Sequence, residues 1–393
     1  MCNSVFLYIQ NVFIKVKNIV MLRIIFAIIV LVHGLIHLMG FVNQWHFKKF
    51  SQFTGITLFP VSENLSKIIG IIWLLTALLF IISAVGYVIE MDWWWIFGFA
   101  SVIISQLLII IYWKDAWAGT IPNVIIFVAA IISCSISSFN NKINDETVQL
   151  FSNVKGSYNV ITKEMAQELP PLVQKWIKRS GIIGKENINT VRLKQKAQMK
   201  SKSDGDWMDV NAVQYFRTDE PGFIYKIDVD AVPLISMAGR DKYENGTGNM
   251  LIKISGLYTL TDAGCEEIDQ GTMIRYISET FWFPSFAFSK YIKWEQIDEN
   301  TAKATMTYKG KAEHILVTFT SEGDVKKIEA ERYGEFDGKY SKEHWSILNT
   351  SYKEFDGIRI GNASEVMWKL KSGDFTWFKL EITELEYNKP FIY

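Results

Sequence analysis

The chain has 393 residues, 41 of them basic and 41 acidic, for a formal net charge of zero. That length is too great for one ordinary domain and suits a membrane module joined to a soluble domain. Balanced, interspersed charge excludes nucleic acid as a partner, and three scattered cysteines, Cys2, Cys134 and Cys265, exclude a disulfide framework.

Residues 1–20 form a mixed N-terminal extension, and Met21 reads as the better start because an apolar run already begins at Leu22. Residues 21–139 then read as a four-helix transmembrane module. Its runs are 24–42, 68–89, 93–113 and 121–139, each near the ~20 residues that cross a bilayer. No charge interrupts them, whereas a helix at a soluble surface carries a polar stripe. Trp45, Trp93, Trp94, Trp95, Trp113 and Trp117 cluster at the run ends, as interfacial anchors do. The connections after the second and third runs are short, so sequence neighbours pack antiparallel. The longer first connection, 43–66, carries Trp45, His46, Lys48 and Lys49 and reads as interfacial. Four spans put both chain ends on one side. Positive charges are nearly equal on the two sides, so the rule that places cationic loops inside does not assign the side of the soluble domain.

Within the first run, His33 and His37 lie four residues apart and share one helix face. Buried imidazoles at such depth mark a proton path or ligand pocket, or else simply bond a neighbouring helix across Gly34 and Gly40. Gln106 and Asn123, in the third and fourth runs, are the candidate partners. No acidic third ligand stands in the runs, so no zinc site is expected. Nor do other helices supply axial ligands for a haem, so no cofactor is expected.

Residues 140–160 read as a linker, opened by the polar stretch 140–146, and residues 161–393 as a β-rich soluble domain. A helix is expected over 169–181, with proline in its first turn, Lys178 and Arg179 in its last and Gly181 just beyond. Alternation then marks about ten strands, at 191–200, 207–216, 223–232, 250–259, 302–308, 315–319, 325–333, 357–360, 365–371 and 377–387. The turn pairs Asp204-Gly205, Asn245-Gly246, Asp356-Gly357 and Ser372-Gly373 separate several of them. One interior helix is expected near 272–281, stopped by Pro284. The pattern is α+β, mainly antiparallel β: a curved sheet or open half-barrel wrapping one or two helices.

Trp207, Phe223, Trp282, Phe283, Trp294, Trp368 and Trp377 are candidate lining for an apolar cleft, or core fillers of strands that favour aromatics. The stretch 281–288 reads as a lid, a membrane-touching segment or a helix packed across the sheet. Nucleophile-elbow, phosphate-loop, dinucleotide and zinc-protease motifs are missing, so no catalytic residue is nominated. Arg275 with Glu279, and the group Arg240-Asp-Lys-Tyr243, read as solvated pairs and turn chemistry.

The string His33-Gly-Leu-Ile-His-Leu-Met-Gly-Phe41, with Ser105-Gln106, Lys114-Asp-Ala-Trp-Ala-Gly-Thr-Ile-Pro-Asn123, Leu169-Pro-Pro-Leu-Val-Gln174, Gly239-Arg-Asp-Lys-Tyr243 and Trp282-Phe-Pro284, resembles an uncharacterised bacterial membrane protein family, a domain of unknown function. The resemblance implies four spans followed by a β-rich domain, and no activity. The soluble half is also distantly similar to lipoprotein-carrier half-barrels that shelter acyl chains. The expectation is a non-enzymatic multi-pass protein of the bacterial cytoplasmic membrane, partnered by the bilayer and a lipid-like ligand. The alternative is a redox, proton-handling or sensory module built on the paired histidines.

Overall fold

The computed structural model describes residues 2–48, 53–157, 159–232, 235–336 and 338–393. Lys49, expected in the first interfacial connection, lies outside them. The chain divides into two compact units, residues 1–139 with 255–257, and residues 140–254 with 258–393.

The first unit is helical: α1 (Cys2–Gln44), α2 (Glu63–Val88), α3 (Trp94–Ile111), the single turn α4 (Trp113–Ala116) and the start of α5 (Thr120–Phe151). Among the described residues four segments, Met21–Gln44, Glu63–Val88, Trp94–Ile111 and Trp113–Phe151, are long and apolar enough to cross a membrane. Ile24, Ile28, Leu75, Ile103, Leu107 and Val124 are exposed, while His33, His37, Ser105 and Asn123 are buried with Val30, Phe80, Leu108 and Ile126. Gly34 and Gly40 let α1 and α2 touch: a Cβ at either position would lie 2.6 Å from Phe80 Cβ and 2.5 Å from the Trp73 ring.

The helix α5 does not stop at residue 139. Its last turns run through the polar stretch 140–146, so the linker expected there is helical up to Phe151. The reason is local. Ile143, Thr147 and Leu150 form a buried stripe at helical spacing, and Glu146 pairs with Arg240 at 2.9 Å.

The second unit holds α6 (Lys163–Gln167), α7 (Pro171–Ser180), α8 (Glu266–Glu279) and thirteen strands in one open antiparallel sheet. The strands are β1 (Thr190–Met199), β2 (Met208–Arg217), β3 (Gly222–Val232), β4 (Ile235–Glu244), β5 (Thr247–Ile254), β6 (Tyr258–Ala263), β7 (Ile292–Gln296), β8 (Thr301–Tyr308), β9 (Lys311–Phe319), β10 (Val325–Phe336), β11 (Lys339–Phe355), β12 (Ile358–Leu370) and β13 (Gly373–Tyr387). Their order, β6-β5-β4-β3-β2-β1-β13-β12-β11-β10-β9-β8-β7, is two meanders joined where β1 meets β13. Asn245-Gly246 and Asp356-Gly357 turn with both residues at positive φ, as two-residue hairpins matching strand twist demand.

Both halves of the sheet, β4 and β5 on one side and β9 and β10 on the other, pack against α8. Such contact requires a strongly curved sheet. The inner core joins Val173, Trp176 and Ile177 of α7 to Met273, Ile274 and Ile277 of α8 and to inward residues of most strands. The stretch 281–288 forms two 3-10 turns inside this core, with Phe281, Trp282, Phe283 and Phe286 all buried. It is therefore neither a lid nor a membrane-touching segment. Four large rings in close succession find enough apolar surface only between the helices and the sheet.

Candidate functional site

Two sites draw together the chemistry-bearing residues, one in each unit. In the helical unit, His33 and His37 lie inside the bundle. The Asn123 carboxamide oxygen lies 2.8 Å from His33 Nε2, so it accepts that N–H. His37 Nδ1 lies 2.9 Å from the His33 carbonyl, which can only accept, so this nitrogen carries the proton and Nε2 accepts from Ser105 Oγ at 2.8 Å. Asn123 Nδ2 donates to Ser105 Oγ and to Gln106 Oε1, both at 3.0 Å, and Gln106 donates to Thr120 Oγ1 at 3.2 Å. One tautomer of each imidazole thus satisfies a continuous network across α1, α3 and α5. The structure brings together all four polar residues singled out in the runs and adds Ser105. Among the described residues no group of three or more His, Cys, Asp or Glu is placed to hold a metal.

In the β unit, a cavity of about 210 Å³ opens between the inner face of the sheet and the C-terminal half of α8. Strand alternation builds its wall: Tyr225, Ile227 and Val229 of β3 face inward together, opposite Asp241, Gly239 and Met237 of β4. On the far half, Ile347 of β11 pairs with Val366 of β12, which pairs with Phe378 of β13. Gly239 keeps this row open, since a Cβ there would meet Ile227 Cγ2 at 2.8 Å.

Charge is confined to the end nearest α8. Arg275 donates from Nη1 to Asp241 Oδ2 at 2.7 Å and from Nε to Glu279 Oε1 at 2.8 Å, with its guanidinium 4.0 Å from the centre of the Tyr225 ring. Gln214 donates to the other Glu279 oxygen at 2.7 Å. Burial pushes the Glu279 carboxyl above its ordinary range, against the pull of Arg275. This pair is enclosed, not solvated as its i, i+4 spacing alone suggests. The Arg240 to Tyr243 group is likewise no turn. It lies on β4, where Arg240 and Tyr243 are buried and Asp241 holds Arg275.

Of the seven aromatic candidates, Trp282 and Trp377 line the cavity. Phe223 and Phe283 are closed core residues with no exposed surface. Trp294 packs on Trp176 and Phe281 and donates to the Ala287 carbonyl at 3.1 Å. Trp368 is a buried core residue, edge-on to Phe336 and beneath the Arg332 guanidinium. Trp207 lies beneath Lys200 and Lys379 ahead of β2. Sequence reasoning missed Trp345, Tyr225 and Arg332 in the wall. Period-two alternation tells which face a residue occupies, but not how far along each strand the cavity extends.

An open antiparallel sheet folded over a helix, behind a helical N-terminal region, is thus the class of protein this chain represents. The chain belongs to the Family of unknown function DUF6920, whose model matches residues 167–387. No curated protein matches it. Similar solved structures include a domain from Vibrio parahaemolyticus named for outer membrane lipoprotein sorting (10% identity, TM-score 0.31) and a LolA superfamily protein from Nitrosomonas europaea (9% identity, TM-score 0.33). Each match covers 57% of this chain and 94% of the other. A DUF1329 family protein from Desulfovibrio piger matches at 10% identity and a TM-score of 0.32, over 57% of this chain and 91% of its own.

Proposed function

We propose that this is a multi-pass protein of the bacterial cytoplasmic membrane whose β domain binds a hydrophobic, lipid-like ligand, without catalysis of its own. The observation that carries the reading is the cavity. It holds about 210 Å³ behind a wall of Met, Ile, Val, Leu and aromatic side chains. An apolar void of ~150 Å³ already takes up benzene, so this one accommodates an alkyl segment. Burying each methylene there contributes ~0.8 kcal/mol. The four apolar helices would hold such a domain beside the bilayer that supplies the ligand.

An alkyl diazirine probe photolysed with the full chain in nanodiscs tests this. Labels on β3, β4, β11 and β13, lost in the cavity-filling variant Leu380→Trp, are the expected result. Labels confined to α1–α5 contradict it.

The network joining His33, Asn123, Ser105 and His37 favours a second reading, a proton-handling or redox module. Metal content and optical spectra of the detergent-solubilised protein would then change in a His33→Ala/His37→Ala variant. Unchanged spectra and metal content assign the imidazoles to interhelical bonding alone.

A further inference from the structure

The cavity's charged residues are gathered at one end; away from them the lining is mainly apolar, with Ser364 donating to Asn349 at 2.7 Å as a neutral polar pair. Along β3 and β4 the change from Tyr225 and Asp241 to Val229 and Met237 takes four residues, ~13 Å of strand. On β10 the same span separates Arg332 from Ile328. The charged residues from both halves of the sheet converge on one turn of α8: Asp241 holds Arg275, and Arg332 donates from Nε to the Gly271 carbonyl at 3.0 Å. A partly open cavity with a mainly apolar length and a charged tip fits an amphiphile rather than a plain hydrocarbon.

The two arginines differ. Arg275 is saturated by Asp241 and Glu279. Arg332 has that single neutral carbonyl, and among the described residues no carboxylate lies within 4.0 Å of it. Its guanidinium stands over the Trp345 ring at 5.0 Å and the Trp368 ring at 5.7 Å, an aromatic shelf that fixes the plane and leaves the Nη donors for another group. Burial and the neighbouring Arg275 bring its pKa down to about 10, so it remains a cation at neutral pH. Asp241 and Glu279 close by would repel a dianion, so a monoanion fits best.

We infer that the ligand is a single-chain amphiphile with a carboxylate head, a fatty-acid-like anion whose head pairs with Arg332 while its tail runs along Ile227, Val229, Met237, Ile347 and Leu380. The inference rests on the proposed apolar binding and specifies its chemistry. The pairing would be a bidentate, charge-assisted contact at the tip of the cavity.

Binding of a fluorescent C11 fatty acid and of its methyl ester to the full chain in zwitterionic nanodiscs separates the possibilities, with signal lost in Leu380→Trp taken as cavity binding. The acid is expected to bind at least tenfold more tightly than the ester. Arg332→Met should reduce the acid to the level of the ester and leave the ester unchanged, and Arg332→Lys should restore part of the difference. Equal affinity of acid and ester overturns the carboxylate assignment while leaving apolar binding intact. Absence of cavity binding by both overturns the apolar reading itself. Full competition by acetate or inorganic phosphate alone also overturns the inference, because the tail would then contribute nothing. If Arg332→Met does not fold, the acid-to-ester ratio of the unmodified protein still decides.

Discussion

Asp241 and Arg275 are joined by a 2.7 Å bond that ties the middle of β4 to the inner helix α8, and Arg275 bonds Glu279 on its own helix as well. The pair fixes the charged end of the cavity. Two carboxylates converge on one guanidinium in a largely buried place, so no member can be removed without leaving charge uncompensated.

Replacing Arg275 by methionine should therefore cost about 3–5 kcal/mol, since it strands Asp241 and Glu279 together. The double variant Asp241→Asn/Arg275→Met should recover a large part of the loss. Denaturant unfolding of the β domain, followed within the full chain by Trp fluorescence, checks both. A single variant as stable as the parent would show that the pair does not hold α8 in place.

In the helical unit, Asn123→Leu removes the acceptor of His33 Nε2 and the donor to Ser105 and Gln106. Each polar group left unsatisfied inside the bundle costs about 1–3 kcal/mol. The melting temperature in detergent should fall, with the β domain's own transition unmoved. No change in melting would mean that water or lipid already satisfies those groups.

Asp324 joins α7 to β12, accepting from Arg359 at 2.9 Å and from Arg179 at 3.3 Å. Burial raises its pKa, but the two arginines outweigh burial and hold it below the ordinary 3.8. A carboxyl with a lowered folded pKa adds stability that is complete above 3.8 and is lost as pH falls through the folded value. Asp324→Asn should flatten that acid limb and lower stability at neutral pH. Parallel stability curves for variant and parent, measured from pH 2 to 6, would contradict the assignment.

The hairpin joining β4 to β5 sets the register of the cavity wall through Asn245 and Gly246, whose φ values are 54° and 80°. A Cβ at position 246 would also meet Lys309 Cβ at 2.8 Å. Gly246→Ala should cost about 1–2 kcal/mol, the penalty of a left-handed L-residue. Equal denaturation midpoints would place the strain elsewhere.

The helices of the first unit were legible because long uncharged apolar runs mark them, and four segments among the described residues are long and apolar enough to cross a membrane. The strands beginning at Thr190 and Val325 were legible because apolar and charged residues alternate in their sequences, although the structure also buries Arg192 on the face expected to be wet. The run 250–259 is two strands, β5 and β6, and the runs 357–360 and 365–371 are one, β12, while β4, β7 and β11 went unread. β4 carries Gly-Arg-Asp-Lys-Tyr-Glu, β11 is seventeen residues with few large apolar side chains, and β7 is short. The apolar alternations they do have, Ile292 with Trp294 on β7 and Trp345 with Ile347 on β11, are short and outnumbered by polar neighbours. Met237, Gly239 and Asp241 of β4 and Trp345, Ile347 and Asn349 of β11 stand on those strands, so that part of the cavity wall was out of reach. Aromatic size alone did not separate the two roles: Phe223 and Phe283 fill the core beside α8, whereas Trp282 and Trp377 bound the cavity together with Ile, Val and Met residues.

The central claim, that the β domain holds an apolar ligand between its sheet and α8, meets its most direct test in native mass spectrometry of the full-length protein extracted from its host membrane. Repeated spectra with a bound alkyl-chain species in the parent, absent from Leu380→Trp, are the predicted result. Ligand-free parent spectra, or the same lipid retained by both forms, would contradict the account.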